Sequence, residues 1–498
     1  MSKYVLGIDQ GTTGTKVIAF DEKANIISSA YSEFTQYFPK PGWVEHDAQE
    51  IYDVTMKVVK ECLDQKNIAP NDIAAIGITN QRETTVFWDK VTGKPLCPSI
   101  VWQDTRTAER CDELIAKDGE GIVERTGMII VTNCAAPKIE WVIQNIPEVA
   151  KGIEEDRVLF GTVDSWLVWK LSGGAVHVTD YSNSACTLLY NVHTKDYDEG
   201  ILKELGIPRK ILPELRRSSE VYAHTDPKEF FGATIPIASV SGDQNAATFG
   251  QACVKPGMIK NTYGTGSFMV MNVGETYVGA KGGCFSVCLT DPTEELRYGL
   301  EGMANVSGAA IQWLRDGLGV IKEASECEAL ANTVEDNGGV YLVPAFNGLG
   351  APYNDPYATG TIIGVTRGIT KAHIARAALE CMAFQVAEQF SIMSEVSKIP
   401  IIALRADGGG AKSDFLLQFQ ADILGVPVER PKITETTSLG AAYLAGLAVG
   451  YFKSMDEVSE NWQVEKRFEP QITEAKRKEL LAGWKRAVER ASKWHTKA

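Results

Sequence analysis

The sequence predicts an α/β protein made of two similar halves around a shared cleft. Near the start, the apolar runs YVLGI and KVIAF flank the turn in GIDQGTTGTK (7–16), and ANIISSAYSEF follows as a third antiparallel strand. A helical stretch from Asp47 to Asp64 and the apolar run IAAIGIT (73–79) come next, an order typical of an α/β domain. The second half repeats this pattern, because the turn GTGS (264–267) lies between the strand-like runs MIKNTY and FMVMNV.

A further unit in the second half strengthens the prediction of a duplicated architecture. The stretch IIALRADGGGAKSDFLLQFQADILGVPVERP predicts a strand, a glycine turn, an amphipathic helix and a strand, with Gly408, Gly409 and Gly410 opening the helix. The halves share a pattern rather than residues, and no low-complexity linker separates them. We therefore expect two domains, residues 1–250 and 251–498, that pack closely around the cleft.

Composition excludes several classes of partner. The 498 residues are 44% hydrophobic, which is enough for a large core, and the net charge of -14 argues against a nucleic-acid or anionic membrane surface. Ten cysteines are scattered without zinc or redox spacing, as is typical of a reducing compartment. The longest apolar segment (439–452) is too short to span a bilayer and predicts a buried helix. We expect a cytoplasmic protein with neither a nucleic-acid nor a membrane partner.

The first turn carries residues suited to a phosphate and its metal ion. Its glycines allow close approach to the backbone, and successive N–H groups in such a turn form an anion-binding concavity. Thr12 and Thr13 add hydroxyl donors, while Asp9 is placed to hold Mg²⁺ beside the phosphate. Gly14 and Lys16 of the same hairpin complete the candidate nucleotide contacts. An ordinary hairpin turn uses the same residue types, so the motif alone leaves that alternative open.

Two later turns favour the phosphate interpretation. NTYGTGS places Thr265 between two glycines, in a turn that can hold a second phosphate from the opposite side. DGGGAKSD (407–414) places its glycines before a predicted helix, whose N-terminus favours an anion. Ala411 separates the last glycine from Lys412, so this is not a Walker A loop.

Candidate acceptor-binding residues come directly after predicted strands. NQRETT (80–85) follows IAAIGIT, at the end of a strand where α/β proteins form sites. Arg82 can donate to a hydroxyl and Glu83 can accept from its neighbour, and a surface ion pair is the alternative. SGDQNAA (241–247) places Asp243 where a carboxylate can accept the proton of an attacking alcohol.

Taken together, these motifs resemble the FGGY carbohydrate kinases, and within them the glycerol kinases. The similarity covers nearly the whole chain through DQGTT, PGWVEHD, GITNQRETT, VWQ, GTVDSWL, HVTDYSN, GDQ, NTYGTGSF, IQWLRD, VPAFNGLGAPY, QFQADILG and LGAAYLAGLAVG. It implies two actin- and hexokinase-like (ribonuclease H-like) domains, with ATP and a polyol meeting between them. The implied reaction transfers the γ-phosphoryl group of ATP to an alcohol with the help of Mg²⁺. Family analogy also implies a homodimer or homotetramer.

The resemblance assigns roles to individual residues. Thr12 and Thr13 would contact the nucleotide phosphates, Asp9 would help to hold Mg²⁺, and Asp243 would be the general base and a second metal contact. The other implied nucleotide contacts are Thr265, Gly308, Gln312, Gly409 and Ser413. The implied polyol contacts are Arg82, Glu83, Trp102, Asn133, Asp243, Gln244 and Phe268, with the two aromatic rings on the carbon edge of the polyol.

Departures from the glycerol kinase pattern cluster at the implied acceptor pocket. Where that group carries Tyr-Phe-Ser before a Lys and a Trp, this chain has NCAAPKIEW, so Asn133 replaces a glycerol-binding Tyr and Cys134 replaces a Phe. Ala135 breaks the same signature, and Cys186 stands where an Arg is typical. A smaller, more polar wall favours an acceptor larger than glycerol, and neutral drift is the alternative.

Other functions remain as alternatives. A kinase for a tetritol, pentitol, inositol or ketopentose differs only in its acceptor. A non-catalytic actin-fold sugar sensor would lack the catalytic carboxylate or the magnesium acid, whereas Asp9 and Asp243 are both present. A chaperone- or actin-like ATPase would have no reason to keep the NQRET and VWQ elements.

Overall fold

Two β-sheets organise the chain in the computed structural model, which describes residues 3–290, 292 and 296–495. The strands of the first sheet are β1 (Tyr4–Gln10), β2 (Gly14–Phe20), β3 (Ile26–Glu33), β4 (Ile73–Asn80), β5 (Ser219–His224) and β6 (Pro236–Gly242). The strands of the second sheet are β7 (Ile259–Tyr263), β8 (Ser267–Gly274), β9 (Phe285–Leu289), β10 (Arg297–Ala304), β11 (Leu404–Asp407), β12 (Val428–Pro431) and β13 (Val464–Phe468).

The two sheets have the same plan. The first has the order β5-β6-β4-β1-β2-β3, in which an antiparallel meander (β1 to β3) joins the parallel strands β4 and β6, and β5 is an antiparallel edge. The second has the order β9-β10-β8-β7-β11-β12-β13. Three antiparallel strands (β7, β8 and β10) again join two parallel strands and an antiparallel edge, and β9 is an additional strand outside β10. The predicted duplication is confirmed in topology rather than in sequence.

Helices and short strand pairs complete the fold. The α-helices are Ala48–Asp64, Ala108–Thr126, Ala135–Asn145, Pro147–Glu154, Val163–Leu171, Tyr181–Ala185, Glu199–Glu204, Asp243–Gly250, Gly308–Asp316, Ser325–Ala331, Lys371–Ser397, Asp414–Leu424, Thr436–Ala448, Met455–Asn461 and Glu474–Ala491, and the 3₁₀ turns are Pro70–Asp72, Arg209–Ile211 and Gly409–Lys412. The short strands pair as Glu45–His46 with Ser99–Ile100, Thr85–Asp89 with Val158–Thr162, Val178–Asp180 with Glu214–Arg216, Tyr190–Asn191 with Asp196–Tyr197, and Tyr341–Val343 with Thr361–Ile363.

Most predicted elements form where expected, and one does not. Asp47 caps the first long helix, because its carboxylate accepts the backbone N–H groups of Gln49 and Glu50. The prediction that Gly408 to Gly410 open a helix is wrong. Gly408 has a φ of 82°, which an α-helix does not contain, and the helix begins only at Asp414, after the capping residue Ser413.

The helix Thr436–Ala448 lies so close to the first sheet that its neighbours must be glycine. A Cβ added to Gly7 would lie 2.2 Å from the Ser438 carbonyl oxygen, and one added to Gly77 would lie 2.1 Å from that of Ala441. A Cβ on Gly440 in the helix would lie 1.9 Å from the Ala246 carbonyl oxygen. The buried helix predicted at residues 439–452 is therefore a packing element of the first sheet.

The predicted division of the chain at residue 250 stays a prediction. Strands after residue 251 build the second sheet, but the helix Thr436–Ala448 returns to the first one and packs on β1, β4 and β6. Within the described part of the chain, no helix is both long and apolar enough to cross a membrane.

We expect Gly440→Ala to destabilise the protein by more than about 2 kcal/mol, because the helix Thr436–Ala448 must move away from the helix Asp243–Gly250, which carries Ala246. Urea unfolding measures the loss. The control is Gly368→Ala, whose new Cβ has Thr366 Oγ1 as its nearest atom, at 3.9 Å, and should change the stability by less than about 1 kcal/mol. Equal effects of the two substitutions would contradict the packing argument.

Candidate active site

Three parallel strands of the first sheet end together and bring the predicted acidic and basic residues to one edge. Gln10 at the end of β1 is in register with Asn80 of β4, which is in register with Gly242 of β6. Asp9, Arg82 and Asp243 therefore converge although they lie far apart in sequence. The structure brings the three predicted residues to one edge, and their role as a site stays a prediction.

Asp243 is held at the start of the helix Asp243–Gly250 with one oxygen saturated and the other nearly free. Its Oδ1 accepts the backbone N–H of Gln244 at 2.7 Å and lies 3.1 Å from Arg82 Nε. Its Oδ2 accepts only a long hydrogen bond of 3.3 Å, from Gln244 Nε2, among the described residues. Oδ2 is thus the oxygen with a lone pair available for a substrate proton.

Arg82 is bound to the second sheet. Its two terminal nitrogens donate to the two carboxylate oxygens of Glu301 on β10, each at 2.6 Å, and one of them also donates to Cys186 Sγ at 3.3 Å. The guanidinium has five N–H groups, so this arrangement leaves one for a ligand. Sequence reasoning missed Glu301. Cys186 stands where an Arg is typical. Its sulfur accepts a hydrogen bond from Arg82, whereas the guanidinium of an Arg at this position would repel Arg82.

Glu83 and Lys138 form the buried, charged side of the expected acceptor pocket. Burial raises the pKa of Glu83 to about 7, against the opposing effects of Arg82 and Lys138. Burial also lowers the pKa of Lys138, although the nearby Glu83 carboxylate opposes that shift. Lys138 Nζ donates to the backbone oxygens of Asn133 at 2.8 Å and Trp102 at 3.2 Å. Lys138 therefore ties two predicted pocket residues together, a role that the sequence did not reveal.

The first turn meets the acceptor pocket through Thr12. Trp102 Nε1 donates to Thr12 Oγ1 at 2.9 Å, so the hydroxyl of Thr12 still has its own proton to donate. Thr13 is exposed at the tip of the turn, and Gly14 begins β2. Lys16 Nζ pairs with Glu435 at 2.8 Å, at the start of the glycine-contacting helix.

Asp9 has the environment of a cation ligand. Burial, followed by the repulsion of Asp243, raises the pKa of Asp9 to about 7. Among the described residues no group donates a hydrogen bond to its carboxylate, and no cluster of three or more His, Cys, Asp or Glu side chains is placed to hold a metal. Mg²⁺ usually takes one or two carboxylates, with waters and substrate phosphates as its other ligands. Asp9 with Asp243 fits a magnesium ion that arrives with a nucleotide, not an all-protein site.

Phe268 and Gln244, the remaining predicted acceptor contacts, lie on different halves of the protein. On β8, Met269 and Met271 lie in the core of the second half, so the alternating residues Phe268 and Val270 face the first sheet. Gln244 follows Asp243 in the first helix turn, and its side-chain oxygen accepts from Lys260 on β7.

The predicted nucleotide contacts lie on three adjoining segments. Gly308 N–H donates to the Gly264 carbonyl at 3.0 Å, and Ala309 N–H to the Thr265 carbonyl at 3.1 Å, so the GTGS turn is fastened to the start of the helix that carries Gln312. A Cβ on Gly308 would lie 2.7 Å from the Gly264 oxygen, which explains the glycine there.

The third segment is the glycine turn after β11. Gly408 packs on the backbone of Tyr263, directly before the GTGS turn. A Cβ on Gly409 would meet nothing within 4 Å, so this residue faces open space. Ser413 Oγ accepts from the Leu416 N–H at 3.1 Å and keeps its own proton for a ligand. The structure thus brings the predicted residues from residues 264–266, 308–312 and 408–413 together.

Comparisons with protein families match both halves of the chain. Residues 4–250 match the N-terminal domain of the FGGY family of carbohydrate kinases, and residues 259–449 match the C-terminal domain of that family.

Full-length relatives and a solved structure agree with this match. The chain is 53% identical to "Glycerol kinase 2" of Thermotoga maritima, over 99% of both chains. It is 51% identical to a glycerol kinase of Deinococcus radiodurans, over 99% of this chain and 98% of the relative. The crystal structure of Plasmodium falciparum glycerol kinase with ADP has a TM-score of 0.93 and 36% identity, over 98% of each chain. The predicted fold and kinase family are confirmed: the chain belongs to the FGGY family of carbohydrate kinases.

Proposed function

We propose that the protein transfers the γ-phosphoryl group of ATP to a terminal hydroxyl of a small polyol, with glycerol as the acceptor. The observation that carries this proposal is Asp243 Oδ2, which accepts only one long hydrogen bond among the described residues while Oδ1 is held by the Gln244 N–H and Arg82. Relatives at 51–53% identity bear the name glycerol kinase, which favours glycerol over other acceptors.

In the proposed reaction, Asp243 Oδ2 accepts the proton of the acceptor hydroxyl. The hydroxyl oxygen forms a bond to the γ-phosphorus, and the bond from that phosphorus to the β–γ bridging oxygen breaks. ADP leaves with the electron pair, and the products are the phosphorylated polyol and a proton. The Arg82 N–H and the Glu83 carboxylate would hold the remaining hydroxyls as donor and acceptor.

The nucleotide would lie between the turns of the two sheets. Thr12, Thr13 and Gly14 would bind its phosphates from one side and Thr265 from the other, with Lys16 adding positive charge. The proposed contacts of the nucleoside side are Gly308, Gln312, Gly409 and Ser413. Asp9 and Asp243 would hold Mg²⁺, which neutralises phosphate charge when it is bound.

A larger polyol is the second candidate acceptor. Within the described part of the chain, the Asn133 side chain makes no hydrogen bond, and only its backbone oxygen is engaged, by Lys138. This wall therefore presents a small amide with unused hydrogen-bonding capacity, which suits an extra hydroxymethyl group. The homodimer or homotetramer and the cytoplasmic location stay predictions.

The first test is ADP release with MgATP and a panel of acceptors. We expect the highest kcat/KM for glycerol, compared with erythritol, threitol, pentitols, inositols and ketopentoses. Asn133→Tyr should raise the preference for glycerol about tenfold, because it restores a phenol donor and narrows the wall. A larger polyol with the highest kcat/KM would correct the acceptor, whereas no acceptor-dependent ADP release would overturn the kinase proposal.

Asp243→Asn should lower kcat by about 10²–10⁴-fold, because an amide cannot take the hydroxyl proton. Asp64→Asn is the matched control, since Asp64 is exposed and, within the described part of the chain, forms an ion pair only with Lys60 on its own helix. The control should keep the wild-type kcat. Near-normal turnover by Asp243→Asn with its best acceptor would rule out the assignment of the base.

Acceptor binding should weaken at low pH. The ionised carboxylate of Glu83 accepts a stronger hydrogen bond from a hydroxyl than the protonated carboxyl does, and its raised pKa of about 7 puts the weakening at mildly acidic pH. At saturating MgATP, the KM for the polyol should rise as the pH falls below about 7. Glu83→Gln should raise that KM by about 10–100-fold and remove its pH dependence. An unchanged pH profile in the variant would refute the role of Glu83.

A further inference from the structure

Lys260 is a fully buried lysine that faces the acceptor side of the cleft from the second sheet. It lies on β7, where Ile259 and Tyr263 point into the core of the second half. Since side chains alternate along a strand, Lys260 and Thr262 point the other way, toward the first sheet. The exposed fraction of Lys260 is 0%.

The ammonium of Lys260 is held by neutral oxygens. Its Nζ donates to the side-chain oxygen of Gln244, and to Thr262 Oγ1 at 3.0 Å. Burial lowers the pKa of Lys260, and the more distant carboxylates of Asp407, Glu301 and Asp243 oppose that shift. Within the described ranges no carboxylate pairs with it directly. A buried cation without a direct counter-ion is costly, which points to a role beyond stability.

The contact with Lys260 fixes the orientation of the Gln244 amide. An ammonium only donates hydrogen bonds, so the Gln244 atom that faces it must be the carbonyl oxygen. The amide nitrogen then points the opposite way and donates to Asp243 Oδ2 at 3.3 Å. A flipped amide would place its oxygen against the carboxylate and its N–H groups against the ammonium, and both contacts would be repulsive.

We propose that Lys260 is a positioning residue for phosphoryl transfer, which acts through Gln244. By holding the Gln244 carbonyl it directs the amide N–H groups toward Asp243 Oδ2 and the adjoining acceptor hydroxyl. The residue that orients the base thus comes from the opposite sheet. This inference rests on the proposed function, because the role of Gln244 has meaning only beside a reacting hydroxyl.

The test is a double-mutant cycle of Lys260→Met and Gln244→Met in the full-length protein, with the best acceptor of the panel. Each single substitution should lower kcat by about 10–100-fold, the range for a lost or unsatisfied buried hydrogen bond. The double variant should be no slower than the slower single variant, because both remove the same oriented amide. The KM for MgATP should stay within about threefold of the wild-type value. Lys260→Arg, which also only donates, should keep kcat within about tenfold.

The controls separate positioning from folding. Lys260→Met replaces a buried charge with an apolar chain, so its Tm should equal or exceed that of the wild type. Lys151→Met, at an exposed lysine, should leave both kcat and Tm unchanged.

The inference is overturned if the fold-losses in kcat of the two single variants multiply in the double variant, or if Lys260→Met keeps the wild-type kcat. Either result leaves the kinase proposal intact. If Lys260→Met does not fold, a Lys260→Arg kcat as low as that of Gln244→Met overturns it. A wild-type protein without acceptor phosphorylation would overturn both.

Discussion

The bidentate ion pair between Arg82 and Glu301 is the contact on which the geometry of the cleft depends. The exposed fraction of the Glu301 side chain is 1% and that of Arg82 is 9%, so both charges have given up most of their hydration. The attraction within a buried ion pair offsets the loss of hydration only when the geometry is good. Removal of one partner typically lowers the stability by about 3–5 kcal/mol. Here the two 2.6 Å hydrogen bonds join a loop of the first sheet to a strand of the second.

Further contacts across the cleft add to this pair. Arg82 Nε lies 3.1 Å from Asp243 Oδ1 while Glu301 holds the other end of the guanidinium. Saturation of Asp243 Oδ1 leaves Oδ2 as the oxygen that faces the pocket. Asn245 in the helix Asp243–Gly250 donates to the Cys288 carbonyl at 2.7 Å, and Gln251, directly after that helix, donates to Asp407 at 2.7 Å; both acceptors belong to the second sheet. The helix Asp243–Gly250 is therefore clamped along its length, and the carboxylate at its start has one defined position.

Sequence patterns were sufficient for the strands and helix around the first turn and for the candidate residues at strand ends. Gly, Thr and Asp after an apolar run identify the turn at Thr12, and the charged dipeptide after β4 identifies Arg82. Glu301 and Lys260 were not found, because each lies inside a strand and its partner is set by the packing of two sheets. Arg82 and Glu301 are 219 residues apart in the chain. The available signal was a charged residue inside a strand rather than at its end, Glu301 in RYGLEGMA and Lys260 in MIKNTY.

The same contacts explain why the acceptor wall can vary while the chemistry does not. Lys138 is held by the backbone oxygen of Asn133, and a backbone contact is the same whether the side chain is Asn or Tyr. A change at this position therefore alters the shape of the pocket without releasing a buried charge. A change at Arg82 would take from the buried Glu301 its ion-pair partner, and one at Gln244 would leave Lys260 with Thr262 Oγ1 as its remaining acceptor among the described residues. A substitution at Asn133 therefore costs the fold little, which makes a departure at the proposed acceptor wall compatible with the proposed catalytic role of Asp243.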